Sequence, residues 1–381
     1  MRKKLILLVQ ATTCLLTLQA QDTDSLDVMI GQMIMIGIND WNDPGEKYDL
    51  LASIEQGRVG GVILYEKNLV AENTAEQLAE LVWSLQKGAE IPLFMSIDEE
   101  GGLVNRLKPK YGFENIPSAA ALGKLNVVDS TYQYALKKAQ LLDLLGFNVN
   151  YAPVVDVNVN QNNPVIGKLD RSFGRDHEIV TRHAAAFLRA HNEVNVATTL
   201  KHFPGHGSSD SDTHLGVAVV TDSWQLQELY PYKALLDSGL VTGIMTAHII
   251  NRTLDTAMLP ATLSQKIISE ALRSFLGFDG VVFSDDMHMG AISRNFGFED
   301  AVKLAVNADV DVLLFSNNVF DYQLTTVNEL HTLIKSMVEN GEIDRATIEK
   351  SYNRILILKK QLGLLDSDYQ KTLKKRLKKV N

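Results

Sequence analysis

An α/β chain folded as a single (β/α)8 barrel of the TIM type, with some irregular strands, is what this sequence predicts. From about residue 26, short apolar runs ending in glycine or a polar cluster alternate with longer amphipathic stretches, the pattern of parallel strands separated by covering helices. Eight such runs over about 340 residues suit a closed barrel better than an open doubly wound sheet. No Gly-x-Gly-x-x-Gly follows the first run, which weakens a dinucleotide-binding reading. Polar residues recur at the ends of six runs, where a barrel gathers its working groups on one face.

The predicted strands are 30–38, 61–64, 93–97, 149–155, 196–200, 243–246, 280–283 and 312–315, apolar enough for burial on both faces. Helices are expected between them at 75–87, 130–145, 177–192, 223–238, 263–275 and 299–307, and two more, 322–340 and 343–362, follow the last strand. Asp98-Glu-Glu-Gly-Gly follows the third strand, Asp156 the fourth, Lys201-His202 the fifth, His248 the sixth, Ser284-Asp285-Asp286 the seventh and Asn317-Asn318 the eighth. The active site is therefore expected at the C-terminal ends of the strands.

The 381 residues, 45% hydrophobic and 22% charged, hold ample material for one large core. Residues 1–20 have the basic, apolar and small-residue zones of a secretory signal, with cleavage expected after Ala20 and an uncleaved anchor as the alternative. Export to a periplasmic or extracellular location is expected on that ground. Cys14 is the only cysteine and lacks the preceding residues that lipidation wants, so the mature chain has no thiol to pair or to bind metal. The barrel domain is expected over 21–365 and a basic tail over 366–381.

The formal charge is −9, but Arg2, Lys3 and Lys4 and the tail's Lys371, Lys374, Lys375, Arg376, Lys378 and Lys379 account for nine of the 37 cations; the other 28 against 46 acids leave a body of −18. Such a body repels nucleic acid. The tail reads most simply as the end of a last helix, with attraction to an anionic membrane surface as the lesser alternative. No obligatory membrane partner is expected, and a monomer is.

Residues 201–214, Lys-His-Phe-Pro-Gly-His-Gly-Ser-Ser-Asp-Ser-Asp-Thr-His, put one Lys, three His and two Asp behind a strand, with Pro204, Gly205 and Gly207 marking a loop. A solvated turn would not need so many ionisable groups. A metal site is suggested by His202 and His206, four apart, but Pro204-Gly205 between them rules out a shared helical face. Acid/base chemistry fits better, because Asp212 two residues before His214 can hold the imidazole's tautomer and stabilise its cation. The run 280–287 delivers Asp285 to the same rim, while Asp286 reads as a helix N-cap. A carboxylate facing an Asp-assisted His supplies the nucleophile and proton donor of glycosidic bond cleavage.

Lys-His-Phe-Pro-Gly-His-Gly followed by Asp-x-His, together with Phe-Ser-Asp-Asp, resembles the family 3 glycoside hydrolases, and within them the single-domain bacterial β-N-acetylglucosaminidases of cell-wall turnover. The similarity runs from about Val28 to Leu365. It implies Asp285 as nucleophile, His214 as acid/base and Asp212 as its partner. It implies sugar contacts for Asp98 and Arg106, which lie in Asp-Glu-Glu-Gly-Gly-Leu-Val-Asn-Arg, for Arg171, and for Lys201 and His202. Asp156 is expected to orient Lys201 or His202. Glu99, where relatives often have His or Gln, and Ser208-Ser209-Asp210 in the loop depart from the pattern and could alter leaving-group preference.

The resemblance implies a retaining, exo-acting enzyme on an N-acetylglucosamine-containing oligosaccharide or muropeptide, needing no metal or cofactor. A phosphorylase or β-glucosidase on the same scaffold is the alternative, and a catalytically silent sugar-binding protein a further one.

Overall fold

The computed structural model describes residues 25–318 and 324–380, so the expected signal, 1–20, lies outside the described residues. Eight parallel strands form the central sheet: β1 (Ile34–Gly37), β2 (Gly61–Leu64), β3 (Phe94–Ile97), β4 (Val149–Asn150), β5 (Ala197–Phe203), β6 (Gly243–Thr246), β7 (Val281–Phe283) and β8 (Leu313–Phe315). Each pairs with its sequence neighbour from β1 to β7, and β1 also pairs with β8. A parallel bridge between Phe283 and Val312, with Ser284 N–H donating to Val312 at 2.9 Å, joins β7 to β8 and closes the barrel. Every residue of these strands is buried, as expected for a sheet walled by helices. Edge-to-face rings fill part of the interior, Phe283 meeting Phe94 at 6.0 Å and Tyr151 at 5.6 Å between centroids.

Helices α1 (Leu26–Gln32), α2 (Pro44–Glu55), α3 (Thr74–Gln86), α4 (Ala119–Leu125), α5 (Val128–Leu144), α6 (His177–Asn192) and α7 (Tyr230–Asp237) come before β7. After β7 come α8 (Gly290–Ser293), α9 (Phe298–Asn307), α10 (Val327–Glu339), α11 (Arg345–Gln361) and α12 (Tyr369–Leu377). A π-helical stretch, Lys266–Phe275, takes the place of the helix expected at 263–275.

Four expectations need correction. The run 30–38 is not one strand: Ser25 Oγ accepts from Val28 N–H, and Met29, Ile30 and Met33 share a helical spacing, so α1 forms first and only 34–37 is extended. The strand expected at 149–155 stops at Asn150, since Pro153 has no N–H for a ladder, and only an isolated bridge from Val154 to Lys201 follows. The stretch 223–238 divides into a 3-10 turn, Leu226–Leu229, and α7, with Pro231 in the first turn of the latter. Finally, Lys201 and His202 do not start a loop: β5 runs on to Phe203, because both polar side chains find charged partners inside the barrel mouth.

Candidate active site

The strand ends deliver their polar side chains to one network. Beyond β3, Asp98 accepts from Lys201 Nζ at 2.9 Å and from Arg106 Nη2 at 3.1 Å. The short hairpin that follows, Glu99–Gly101 with Val104–Asn105, carries Glu100 inward. Glu100 accepts from Lys201 Nζ at 2.6 Å and takes both Nε and Nη2 of Arg171 at 2.8 Å. Burial alone would raise the Glu100 carboxyl, but Arg171 and Lys201 outweigh it and bring it to about 2. Asp98 is likewise held below the usual range, burial being overcome by Lys201 and Arg106.

Arg171 also donates to the Val165 carbonyl at 3.0 Å and lies 3.2 Å from His202 Nε2. On the other side of that ring, Nδ1 meets Asp156 at 2.7 Å. A carboxylate can only accept, so Nδ1 carries the hydrogen and Nε2 is left to accept from the guanidinium. Of the two partners expected for Asp156, the structure selects His202, and Asp156 accepts the backbone N–H groups of His202 and His206 as well. Glu99 points the other way: its carboxylate accepts from the Arg106 and Leu107 N–H groups and pairs with buried Lys138 of α5 at 2.8 Å. It fastens the hairpin to a helix and does not reach a leaving group.

Asp285 follows β7 and accepts from Asp286 N–H at 2.8 Å. Burial would raise its carboxyl, but the neighbouring His248, His202 and His214 and the hydrogen bond from Asp286 N–H outweigh that and hold it below its ordinary value. Asp286 is not the cap of α8. Its carboxylate accepts from Ser316 N–H and Oγ and from His288 N–H, tying the end of β7 to the end of β8.

His248, within electrostatic reach of Asp285, has Nε2 2.9 Å from the Asp286 carbonyl and Nδ1 2.8 Å from Thr262 Oγ1. Since a carbonyl only accepts, Nε2 is the protonated nitrogen. Burial lowers the His248 pKa, keeping the ring neutral.

The Asp212–His214 pair rides on the loop after β5. Asp212 accepts both the His214 N–H and its ring Nδ1 at 2.8 Å, leaving Nε2 outward on a side chain that is 61% exposed. The loop is seated on the segment carrying Asp285, because Thr213 and His214 carbonyls accept from Ala291 and Gly290 N–H at 3.1 Å. A side chain at position 290 would come within 2.7 Å of the His214 carbonyl, so glycine permits the docking. Gly290→Val is expected to lower kcat while leaving KM nearly unchanged, a split that steady-state kinetics would reveal.

Beneath the loop lies Glu228, fully buried, accepting from Ser208 N–H at 3.2 Å and Gln225 N–H at 3.1 Å. Burial pushes its carboxyl up to about 7. A raised carboxyl stabilises the fold below its unfolded pKa and loses that contribution as pH rises through the folded value, so the window is about 4.5 to 7. The swing is on the order of 3 kcal/mol at about 1.4 kcal/mol per tenfold change in proton affinity. Denaturant unfolding at pH 5 and pH 8 should show the parent losing more stability than Glu228→Gln over this interval.

Asp98, Arg106, Arg171, Lys201 and His202, expected together, do share one network; Asp285 lies within electrostatic reach of it, and Asp212 and His214 sit on the docked loop. The reading of the sequence missed Glu100, although it stands in the Asp-Glu-Glu run, and gave no role to His248 or Tyr65, which the strand ends signalled. Tyr65 supports the Arg106 guanidinium, 5.6 Å from its ring centre. Among the described residues no three His, Cys, Asp or Glu side chains are grouped to hold a metal.

Charges that neutralise one another, yet leave a few donors and acceptors unspent at the mouth, suit a neutral polyhydroxyl ligand and define a barrel of the carbohydrate-processing class. Similarity to known proteins narrows that class. The sequence profile of the Glycosyl hydrolase family 3 N terminal domain matches residues 25–358. Beta-hexosaminidase A of Pseudoalteromonas piscicida is 33% identical over 347 residues, covering 84% of this chain, which spans 56% of that relative's length. Beta-hexosaminidase LpqI of Mycobacterium tuberculosis is 32% identical over 342 residues, 87% of this chain and 81% of the relative. The solved family 3 β-N-acetylglucosaminidase of Paenibacillus sp. FPU-7 superposes with a TM-score of 0.81 at 33% identity, over 93% of this chain and 68% of that one. The chain belongs to glycosyl hydrolase family 3, and the expected enzyme class, glycoside hydrolase, stands with it.

Proposed function

We propose that this protein is a retaining β-N-acetylhexosaminidase that removes terminal β-linked N-acetylglucosamine from the non-reducing ends of cell-wall fragments or chitooligosaccharides. The names of the relatives support the sugar, and one observation carries the mechanism. An ionised Asp285 precedes the segment on which the loop docks, and that loop presents His214 Nε2 outward while Asp212 occupies Nδ1. Asp285 attacks the anomeric carbon, the glycosidic C–O bond breaks, and the proton on His214 Nε2 goes to the departing oxygen. The same nitrogen then takes a proton from water, whose oxygen displaces Asp285 from the anomeric carbon and restores both groups.

Lys201 has one ammonium hydrogen left after Asp98 and Glu100, and it is the donor we assign to a sugar hydroxyl. Turnover of aryl N-acetylglucosaminide against aryl glucoside, with and without phosphate, tests the reading. Activity on the glucoside alone would overturn the sugar assignment, and a rate that depends on phosphate would make the enzyme a phosphorylase.

We also propose that the protein works outside the cytoplasm, from the basic and apolar zones of residues 1–20. N-terminal mass analysis is expected to find Gln21 first; a cytoplasmic protein retaining Met1 would refute export.

A further inference from the structure

The basic residues near the C-terminus, for which attraction to an anionic membrane surface is the lesser reading of the sequence, take no part in catalysis. They form a helix of their own, α12, fastened by Tyr369, Leu373 and Leu377, which are buried at positions four apart. That stripe turns Lys371, Lys374, Lys375 and Lys378 to the opposite side, where all four are exposed, with exposed Lys379 just beyond. Arg376 is spent on Asp143, whereas none of these five lysines has a carboxylate partner among the described residues. Lys374 lies over the Trp83 ring, which fixes its stem without neutralising its charge.

The position of α12 in the barrel gives this array a direction. Gln370 donates to the carbonyls of Gln86 and Ala89 at the end of α3, and Gln86 in turn donates to Leu93 at the start of β3. Gly146, just ahead of β4, packs against Leu373 and Leu377. The helix therefore lies at the N-terminal ends of β3 and β4, the end of the barrel opposite the catalytic mouth.

Large apolar side chains break the surface on that same side. Phe275, 79% exposed, precedes the turn into β7; Ile357 is 58% exposed and borders a cavity with Leu276, Phe278 and Gly280; Leu365 lies between α11 and α12. A soluble polyanion would be met by lysines alone. Lysines on one part of this end of the barrel, with an exposed Phe, Ile and Leu at the same end, match the two layers of a bilayer surface, anionic headgroups and the hydrocarbon just beneath them. Among the described residues no helix is long and apolar enough to cross a membrane.

We propose that the N-terminal face of the barrel, through Lys371, Lys374, Lys375, Lys378 and Lys379 with Phe275 and Ile357, docks on an anionic phospholipid surface and turns the active site away from it. The body's overall excess of acids favours approach through this cluster of unpaired lysines.

Full-length protein should be titrated with vesicles of phosphatidylcholine alone and with one third phosphatidylglycerol, at low and physiological salt. The anionic vesicles should bind more tightly, by roughly fivefold per lysine that reaches the surface, and salt should erase the difference. A variant with all five lysines changed to Gln should lose the preference while hydrolysing an aryl substrate as before. Phe275→Ser with Ile357→Ser should weaken vesicle binding and leave binding to polyglutamate unchanged. Equal affinity of parent and lysine variant for the anionic vesicles would overturn the proposal, and so would a polyglutamate affinity matching that for vesicles.

Discussion

Asp285→Asn is expected to abolish turnover of activated and natural N-acetylglucosaminides alike, by roughly 10⁴-fold or more, because in the proposed mechanism both form the same bond to this carboxylate. His214→Ala should divide the two substrates. A sugar leaving group departs only with a proton, so its glycosylation step should fall by about 10²–10⁴-fold. A dinitrophenolate needs none and should lose little in that step. Deglycosylation lacks its base in either case, so the activated substrate should give a burst of phenolate, then slow turnover, with sugar trapped on Asp285. Asp212→Asn should show the same pattern more weakly, since it loosens an imidazole held at 2.8 Å without removing it. Rapid-quench kinetics and mass analysis of the trapped enzyme would separate the steps. Equal losses for both leaving groups with no adduct on Asp285 would make His214 a sugar contact and place the acid elsewhere.

What the sequence made legible depended on how local each signal was. The strands at 61–64 and 243–246 and the helix at 177–192 match their structural bounds, because apolar runs and amphipathic spacing are written into consecutive residues. The helix 26–32 was hidden because Met29, Ile30, Met33 and Ile34 serve a buried helix and a buried strand without a change in polarity. The extension of β5 to Phe203 was hidden for a different reason. Lys201 and His202 belong in a strand only once Asp98, Glu100 and Asp156, up to a hundred residues away, have neutralised or bonded them. The same distance concealed Glu100: in the Asp-Glu-Glu run it looks like its neighbour Glu99, and only the hairpin separates a carboxylate facing Arg171 from one facing Lys138.

Glu100 consequently supports a prediction of the second largest effect. Its side chain is 4% exposed and is the counter-ion shared by Arg171 and Lys201, at 11% and 2%. Glu100→Gln would leave these two cations with Asp98, already divided between Lys201 and Arg106, so breaking the buried group should cost about 3–5 kcal/mol of stability. The sign with pH is fixed by a carboxyl lowered from 4.5 to about 2: its stabilisation is complete above about 4.5 and is lost as pH falls towards 2. The gap in stability between parent and variant should therefore be wide at pH 7 and narrow as the solution is acidified. Catalysis should suffer in a way unlike His214→Ala. Lys201 and Arg171 would shift where sugar is held, not where the proton moves, so kcat/KM should drop by similar factors for dinitrophenyl and natural leaving groups. Adding Arg171→Gln removes the uncompensated charge, and the double variant should be more stable than the sum of the two single losses. Urea unfolding of the parent and the three variants closes that cycle. Parent-like stability and kinetics in Glu100→Gln would mean that Asp98 alone suffices to hold both cations.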